Sequence, residues 1–222
     1  IQDKADKNHL LAGGVSGGLW HSYDYGNNWV KNDDFADNLS ISCLTQDYFN
    51  HSVIYYGTGE ATGNSADVPG EGVYRSTDGG QTFQPLPATL NDTFEYIWDI
   101  QASPVEENVV YVATKFYGLY RSDDQGQSFQ KVFDDRSQIC DIEMFPDSSI
   151  MLGLISKGVF YSPNGRDNFN RINQLPTSGI HRINIAYCED SSNVVYALFM
   201  RSNREEVMGL WKSTDGGSNW TQ

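Results

Sequence analysis

The sequence predicts an all-β protein built of repeated four-stranded units, and three observations predict it. An eight-residue motif recurs along the chain. β-Branched and aromatic runs stand at set places around each copy. No segment shows helical periodicity. The motif reads SYDYGNNW from residue 22, STDGGQTF from 76, SDDQGQSF from 122, SPNGRDNF from 162 and STDGGSNW from 213. Copies start about 40 to 54 residues apart, a spacing typical of structural repeats.

Within a unit the elements follow a fixed order. Strand A often begins on Ile: ISCLTQD from 41, IWDIQASP from 97, ICDIEMFP from 139 and INIAYCED from 183. Strand B is the β-branched run: VIYYGTG from 53, NVVYVATK from 108, SIMLGLIS from 149 and NVVYALFM from 193. Strand C opens on Gly just before each motif, as GLWH, GVYR, GLYR, GVFY and GLWK. Strand D follows the motif as WVKN, FQPL, FQKVF and FNRI. Gly, Asp, Asn and Ser separate the strands, as turns require. Successive four-stranded meanders of this period predict a β-propeller. Its blades cover residues 8–33, 40–88, 95–134, 138–174 and 182–222. The first unit has no clear strand A, and the last ends inside strand D. These open ends predict an arc of a larger ring of six to ten blades, with a compact five-bladed ring as the alternative.

Composition narrows the function classes. The 222 residues are 39% apolar and 13% aromatic, enough for a core. A formal charge of −14, with no basic cluster, argues against a nucleic-acid partner. No apolar run approaches the roughly 20 residues of a membrane helix. Cys43, Cys140 and Cys188 lack zinc-type spacing, and either one disulfide or three free thiols fits them. His9, His21, His51 and His181 stand at unrelated positions, which predicts neither a metal site nor a catalytic triad. No metal or cofactor is expected. Both ends of the sequence read as cut from a longer protein.

The motif reads physically as a hairpin device joining strands C and D. Its Asp accepts hydrogen bonds from the backbone of its own turn, and its Gly supplies a positive φ. Its Ser or Thr cross-links the arms, and its terminal aromatic packs between sheets. The motif resembles the Asp-box, or bacterial neuraminidase repeat, of sialidases, sortilin-type receptors, xyloglucanase-type glycoside hydrolases and secreted bacterial propellers. That resemblance covers essentially the whole chain. It implies that the boxes lie on the face away from the ligand site and are structural. The residues concerned are Ser22, Asp24, Gly26 and Trp29; Ser76, Asp78, Gly80 and Phe83; and Ser122, Asp124, Gly126 and Phe129. The last two boxes supply Ser162, Asn164 and Phe169, then Ser213, Asp215, Gly217 and Trp220. The fourth copy departs from the pattern, with Asn164 for Asp and Arg166 for Gly.

Function is then sought on the opposite face, formed by the B–C and D–A connections. The long loop at 57–72 carries Glu60, Asp67 and Glu71 as ligand-binding candidates, although their spacing matches no EF-hand and a solvated acidic loop is the plainer reading. Arg201 and Arg204 in the last B–C loop could grip a carboxylate or pair internally with Glu205 and Glu206. Aligning strands A on Ile97 and Ile139 puts Asp99 and Asp141 in one column, a candidate catalytic pair for glycoside hydrolysis. Tyr48, Phe116 and Tyr117 could stack on sugar rings.

The sequence lacks the arginine triad and Arg-Ile-Pro start that a sialidase resemblance would require. The reading it favours is a non-catalytic binding or assembly propeller of a larger bacterial protein, secreted, periplasmic or on the cell surface. Its partners would be a glycan or a protein. Resemblance to secreted bacterial propellers adds secretion or outer-membrane machinery. The alternative is a glycoside hydrolase of the xyloglucanase type acting on β-glucans.

Overall fold

The computed structural model describes the chain except residues 34, 35, 37, 61–66, 189, 190, 204 and 205, and the side chain of Ser192. Its described strands form five antiparallel meanders, each in simple sequence order. The first sheet holds β1 (Leu10–Gly14), β2 (Gly18–Ser22) and β3 (Val30–Lys31). The second holds β4 (Ile41–Gln46), β5 (Ile54–Thr58), β6 (Val73–Ser76) and β7 (Gln84–Pro85). The third holds β8 (Ile97–Ala102), β9 (Val110–Thr114), β10 (Gly118–Ser122) and β11 (Gln130–Phe133). The fourth holds β12 (Ile139–Met144), β13 (Ile150–Leu154), β14 (Gly158–Ser162) and β15 (Asn170–Arg171). The fifth holds β16 (Ile180–Cys188), β17 (Ser191–Arg201) and β18 (Val207–Ser213). Single 3₁₀ turns at Pro87–Thr89 and Asp92–Phe94 interrupt the connection from β7 to β8.

Two compact units result: Ile1–Lys115 with Tyr120–Gln130, and Phe116–Leu119 with Lys131–Gln222. In the first unit, Leu11, Leu19, Ile41, Ile54, Tyr56 and Tyr74 form one core cluster. Tyr55, Val73, Phe94, Ile97, Ile100, Val110 and Val112 belong to the next. In the second unit the buried set includes Ile139, Ile142, Leu152, Val159, Ile183, Val195 and Phe199. Strands β5, β9 and β13 are buried at every position, which is why they read as continuous apolar runs rather than alternating ones.

A strand-B glycine receives the next sheet's isoleucine. A Cβ on Gly13 would strike Ile41, one on Gly57 would lie 2.6 Å from Ile97, and one on Gly153 would lie 3.1 Å from Ile183. The equivalent position, three residues past the partner of the motif serine, is Leu198 in the fifth sheet. There Tyr196 and Leu210 are exposed.

The chain start differs from the sequence expectation. Residues 1–3 partly supply the missing strand A: Gln2 bridges Leu10, and Leu11 N–H donates to Ile1 O at 2.9 Å. At the other end, Thr221 bridges Lys212.

The hairpin motifs share one hydrogen-bond pattern. In the second sheet, Ser76 Oγ donates to Asp78 Oδ1 (2.7 Å) and accepts from Gly80 N (2.9 Å). Asp78 then accepts from Gln81 N, Thr82 N and Thr82 Oγ1. The same bonds recur around Asp24, Asp124 and Asp215. Two successive residues take positive φ in each of these turns, at 25–26, 79–80, 125–126 and 216–217. The N–H of the first donates to the carbonyl of Asn8, Ser52, Asn108 or Asn193. Hydrogen bonds hold the carboxyls down: the Asn219 side chain foremost for Asp215, at about 2, and the Asn28 side chain foremost for Asp24. For Asp78 partial desolvation pulls upward, and bonds from Thr82, Ser76 and Gln81 outweigh it, leaving about 2.

The fourth copy survives by substitution. Its positive φ moves to Gly165 and Asn168, and Asn164 Nδ2 donates to Asp167 Oδ1 at 2.8 Å. The terminal aromatics divide by type. Phe83, Phe129 and Phe169 pack on Tyr56, Phe94 and Phe133 respectively. Trp29, 39% exposed, turns its indole N–H back to Gly26 O, and Trp220 does the same to Gly217 O, because an indole donor needs an acceptor.

Candidate functional site

In the first unit the long B–C loop and the connection from β7 to β8 are stitched together. Gly70 N donates to Glu95 O (2.9 Å), Val73 N to Thr89 Oγ1 (2.9 Å), and Thr58 Oγ1 to Gly72 O (2.7 Å). Gly59 and Gly72 have positive φ, and a Cβ on either would collide with backbone across this seam. Between the two segments lies an open cleft of about 450 Å³ lined by Gly70, Glu71, Leu90, Asn91, Asp92 and Glu95.

The candidate acids of the loop separate. Glu71 borders the cleft and accepts from Tyr74 OH at 3.1 Å. Asp67 pairs with Lys115, whose side chain is buried and whose ammonium lies 4.9 Å from the Tyr96 ring centre. Glu60 sits at the loop's entry, its N–H donating to Val68 O. Arg201 pairs with Glu206 at 3.2 Å, and Arg204 lies outside the described residues.

Asp99 and Asp141 occupy matching register positions. Each follows a β-bulge, after Ile97 and Ile139, and pairs with Ala113 and Gly153 respectively. Asp99 belongs to the first unit and Asp141 to the second. Asp99 Oδ1 accepts from Ile100 N at 2.8 Å. Asp141 accepts from Ile185 N (2.6 Å) at Oδ2 and from Asn184 Nδ2 (3.4 Å) at Oδ1. Burial pushes the Asp141 carboxyl up to about 6, against those bonds and the Arg182 charge. Its stabilising contribution is therefore full below the unfolded value of about 3.8 and is lost as pH rises through about 6. Asp141→Asn, which keeps an acceptor for Ile185 N, should raise stability at pH 7.5 by about 1–3 kcal/mol and change little at pH 4. Chemical denaturation at the two pH values reads this out.

All three cysteines are free thiols: Cys43 half-buried, Cys140 buried and Cys188 exposed. Burial pushes Cys140 up to about 12, so it is not a nucleophile at neutral pH.

The expectation that the histidines are unrelated is wrong for two of them. His9 and His21 are hydrogen-bonded to each other, and His9 to Asp3, in the first unit. The signal was in strand C, whose fourth residue is His21, Arg75, Arg121, Tyr161 and Lys212 in turn. Arg121 is likewise buried and forks onto Glu106 at 2.8 and 2.9 Å, with Asp123 and Tyr111 beside it. Among the described residues no group of three or more His, Cys, Asp or Glu could hold a metal. No described helix is long and apolar enough to cross a membrane.

Comparison with solved structures places this architecture. An ancestral GH74 enzyme superposes over 100% of the chain with TM-score 0.75 at 16% identity. The fold is a β-propeller. The chain spans 31% of that enzyme's length. YCF48 bound to D1 peptide matches 98% of the chain and 79% of its own, with TM-score 0.60 at 15% identity. An auxiliary nutrient binding protein from Bacteroides thetaiotaomicron VPI-5482 matches 97% of the chain and 54% of its own, with TM-score 0.63 at 11% identity. No protein-family profile matches the sequence, and no curated protein does.

Proposed function

We propose that the chain is a non-catalytic binding region of a larger secreted, periplasmic or cell-surface propeller protein, and that it takes a glycan or protein ligand on the face of the B–C and D–A connections. The observation that carries this reading is how the strand-A carboxylates are used. Asp141 spends both oxygens on Ile185 N and Asn184, and Asp99 accepts from Ile100 N. A hydrolase needs one carboxyl free to protonate the leaving group and a second free to attack or activate water. The Asp-box carboxylates are likewise engaged by their own turns, which supports a structural role for them. The neighbours are named for a bound peptide and for nutrient binding as well as for an enzyme. Resemblance to secreted bacterial propellers adds secretion or outer-membrane machinery as partners.

One observation favours the alternative, a xyloglucanase-type hydrolase. A carboxyl raised to about 6, as in Asp141, suits a general acid. The test is to incubate the full-length protein with a β-glucan panel, alongside glycan-array and peptide-array binding. Saturable binding without turnover is expected. Turnover that disappears in both Asp99→Asn and Asp141→Asn would replace the binding reading with the hydrolase.

A further inference from the structure

The first unit threads Asp3, His9, His21 and Asn32 into one hydrogen-bonded string. Asp3 Oδ1 accepts from Ala5 N and from Gln46 Nε2, both at 2.8 Å, and Asp3 Oδ2 meets His9 Nδ1 at 2.8 Å. His9 Nε2 meets His21 Nδ1 at 2.8 Å, and His21 Nε2 meets Asn32 Nδ2 at 3.1 Å. The same Asn32 amide nitrogen lies 2.9 Å from Gly80 O and 3.2 Å from Gln81 O, so its two N–H groups are shared among three acceptors. Gln46 ends β4, and Gly80 and Gln81 lie in the hairpin turn after β6. The string therefore ties the first sheet to the second at two points.

Chemistry fixes its polarity. The Asp3 carboxylate has no proton to give, so His9 Nδ1–H is the donor and His9 Nε2 is left as acceptor. That nitrogen takes the proton of His21 Nδ1–H, which leaves His21 Nε2 to accept from the Asn32 amide. Two neutral rings satisfy every ring nitrogen, and a third ring proton has one acceptor in reach, the Gly80 carbonyl. On His9 Nε2 it would set two N–H groups against each other across 2.8 Å unless the His21 proton moves from Nδ1 to Nε2. On His21 Nε2 it would oppose the Asn32 amide and must displace that amide from Gly80 O.

Both rings are inside, His9 at 5% and His21 at 2% exposure, so water cannot absorb the mismatch. The surroundings offer little relief. Tyr23 stacks on the pair, 4.6 Å from His9 and 5.8 Å from His21. The Ile1 ammonium is spent on Leu11 O, and the Lys4 ammonium lies over Tyr48. Asp78, in the turn that presents Gly80, is engaged by its own turn. Asp3 is the carboxylate bonded to the string.

We propose that this string is an acid-sensitive latch between the first two sheets, in which one added proton ends on His21 Nε2, breaks the His21–Asn32 link and loosens the seam. Burial, the largest cause, lowers the pKa of His21 against a bond to Gly80 that raises it, in keeping with a fold that resists that proton. The unfolded chain takes it first, so this stability is full above about pH 6.5 and falls as pH drops toward the folded value. Bonds from Gln46, His9 and Ala5 outweigh desolvation at Asp3 and lower its pKa. Its share of stability is therefore lost separately, below about pH 4.

Nitrogen NMR of the histidine rings and amide hydrogen exchange on the intact chain test the latch. At pH 7.5 both rings should carry their proton on Nδ1 alone. At pH 5, protection of the Lys4 amide, which donates to Gln46 Oε1 at 2.8 Å, and of the buried Gly80 amide, corrected for intrinsic exchange, should fall by at least about tenfold, while β9 amides hold. His21→Gln, which bridges without titrating, should remove that pH step. Protection unchanged between pH 7.5 and 5, or Nε2 protons at pH 7.5, would overturn the proposal. Those wild-type measurements stand even if the variant does not fold.

Discussion

Gly57→Val should cost about 3 kcal/mol or more and lower Tm by roughly 6–12 °C in a chain of this size. Gly57 lies in β5, where every residue is buried. A Cβ there would stand 2.6 Å from Cys43 Sγ and 2.6 Å from Ile97 Cγ2, and Ile97 is fully buried. The φ of Gly57 is not positive, so the penalty is packing and not backbone strain. Gly79 gives the contrast: its φ is 74°, yet no atom lies within 4 Å of its Cβ position. Gly79→Ala should cost only the left-handed strain, about 1–2 kcal/mol. Ile97→Ala, which removes that Cγ2, should cost less in the Gly57→Val background than in the wild type, a coupling that thermal or urea unfolding of the double-mutant cycle would measure. Equal costs for Gly57→Val and Gly79→Ala would refute the socket.

Ser76→Ala should destabilise the second hairpin more than Asp78→Ala, although the aspartate looks the more chemical residue. Ser76 is buried, and its Oγ serves Asp78 Oδ1, Asp78 N and the buried Gly80 N at once. Its loss leaves an unsatisfied buried donor, worth about 2–3 kcal/mol. Asp78 makes more bonds, but most are exposed, and water replaces them at about 1–2 kcal/mol, the scale of a lost helix cap. What Asp78 adds is pH dependence: its lowered pKa makes its contribution full above about pH 4, lost as pH falls through about 2. Restoring the consensus in the fourth copy should not help. Asn164→Asp would replace the amide that donates to Asp167 with a second carboxylate, so stability should fall.

The hairpins were legible because their partners are written within a few consecutive residues. Ser, Asp, Gly and Thr of one motif bond to one another, so the spacing alone predicts the turn. The strand order was legible for a similar reason, since meanders pair neighbours in sequence. The role of the terminal aromatic was only half legible. Phe fills a core, whereas Trp carries a donor and bends back to its own turn.

The candidate site divides along the same line. Glu71 borders the cleft it was placed near, while Asp67 turned inward to Lys115, because a buried ammonium must be paired. No pattern in the loop announces that lysine, which lies in the turn after β9.

By itself the sequence determined the all-β repeat, the order of strands and the position of each turn, because these depend on residues close in the chain. The tertiary structure alone decided that Asp3, His9, His21 and Asn32 share one string, that Gly57 seats Ile97, and that Asp141 serves the backbone of Ile185. Each of these pairs residues set apart in sequence: strand pairing within the first sheet assembles the string, and the stacking of one sheet on the next brings Gly57 to Ile97 and Asp141 to Ile185.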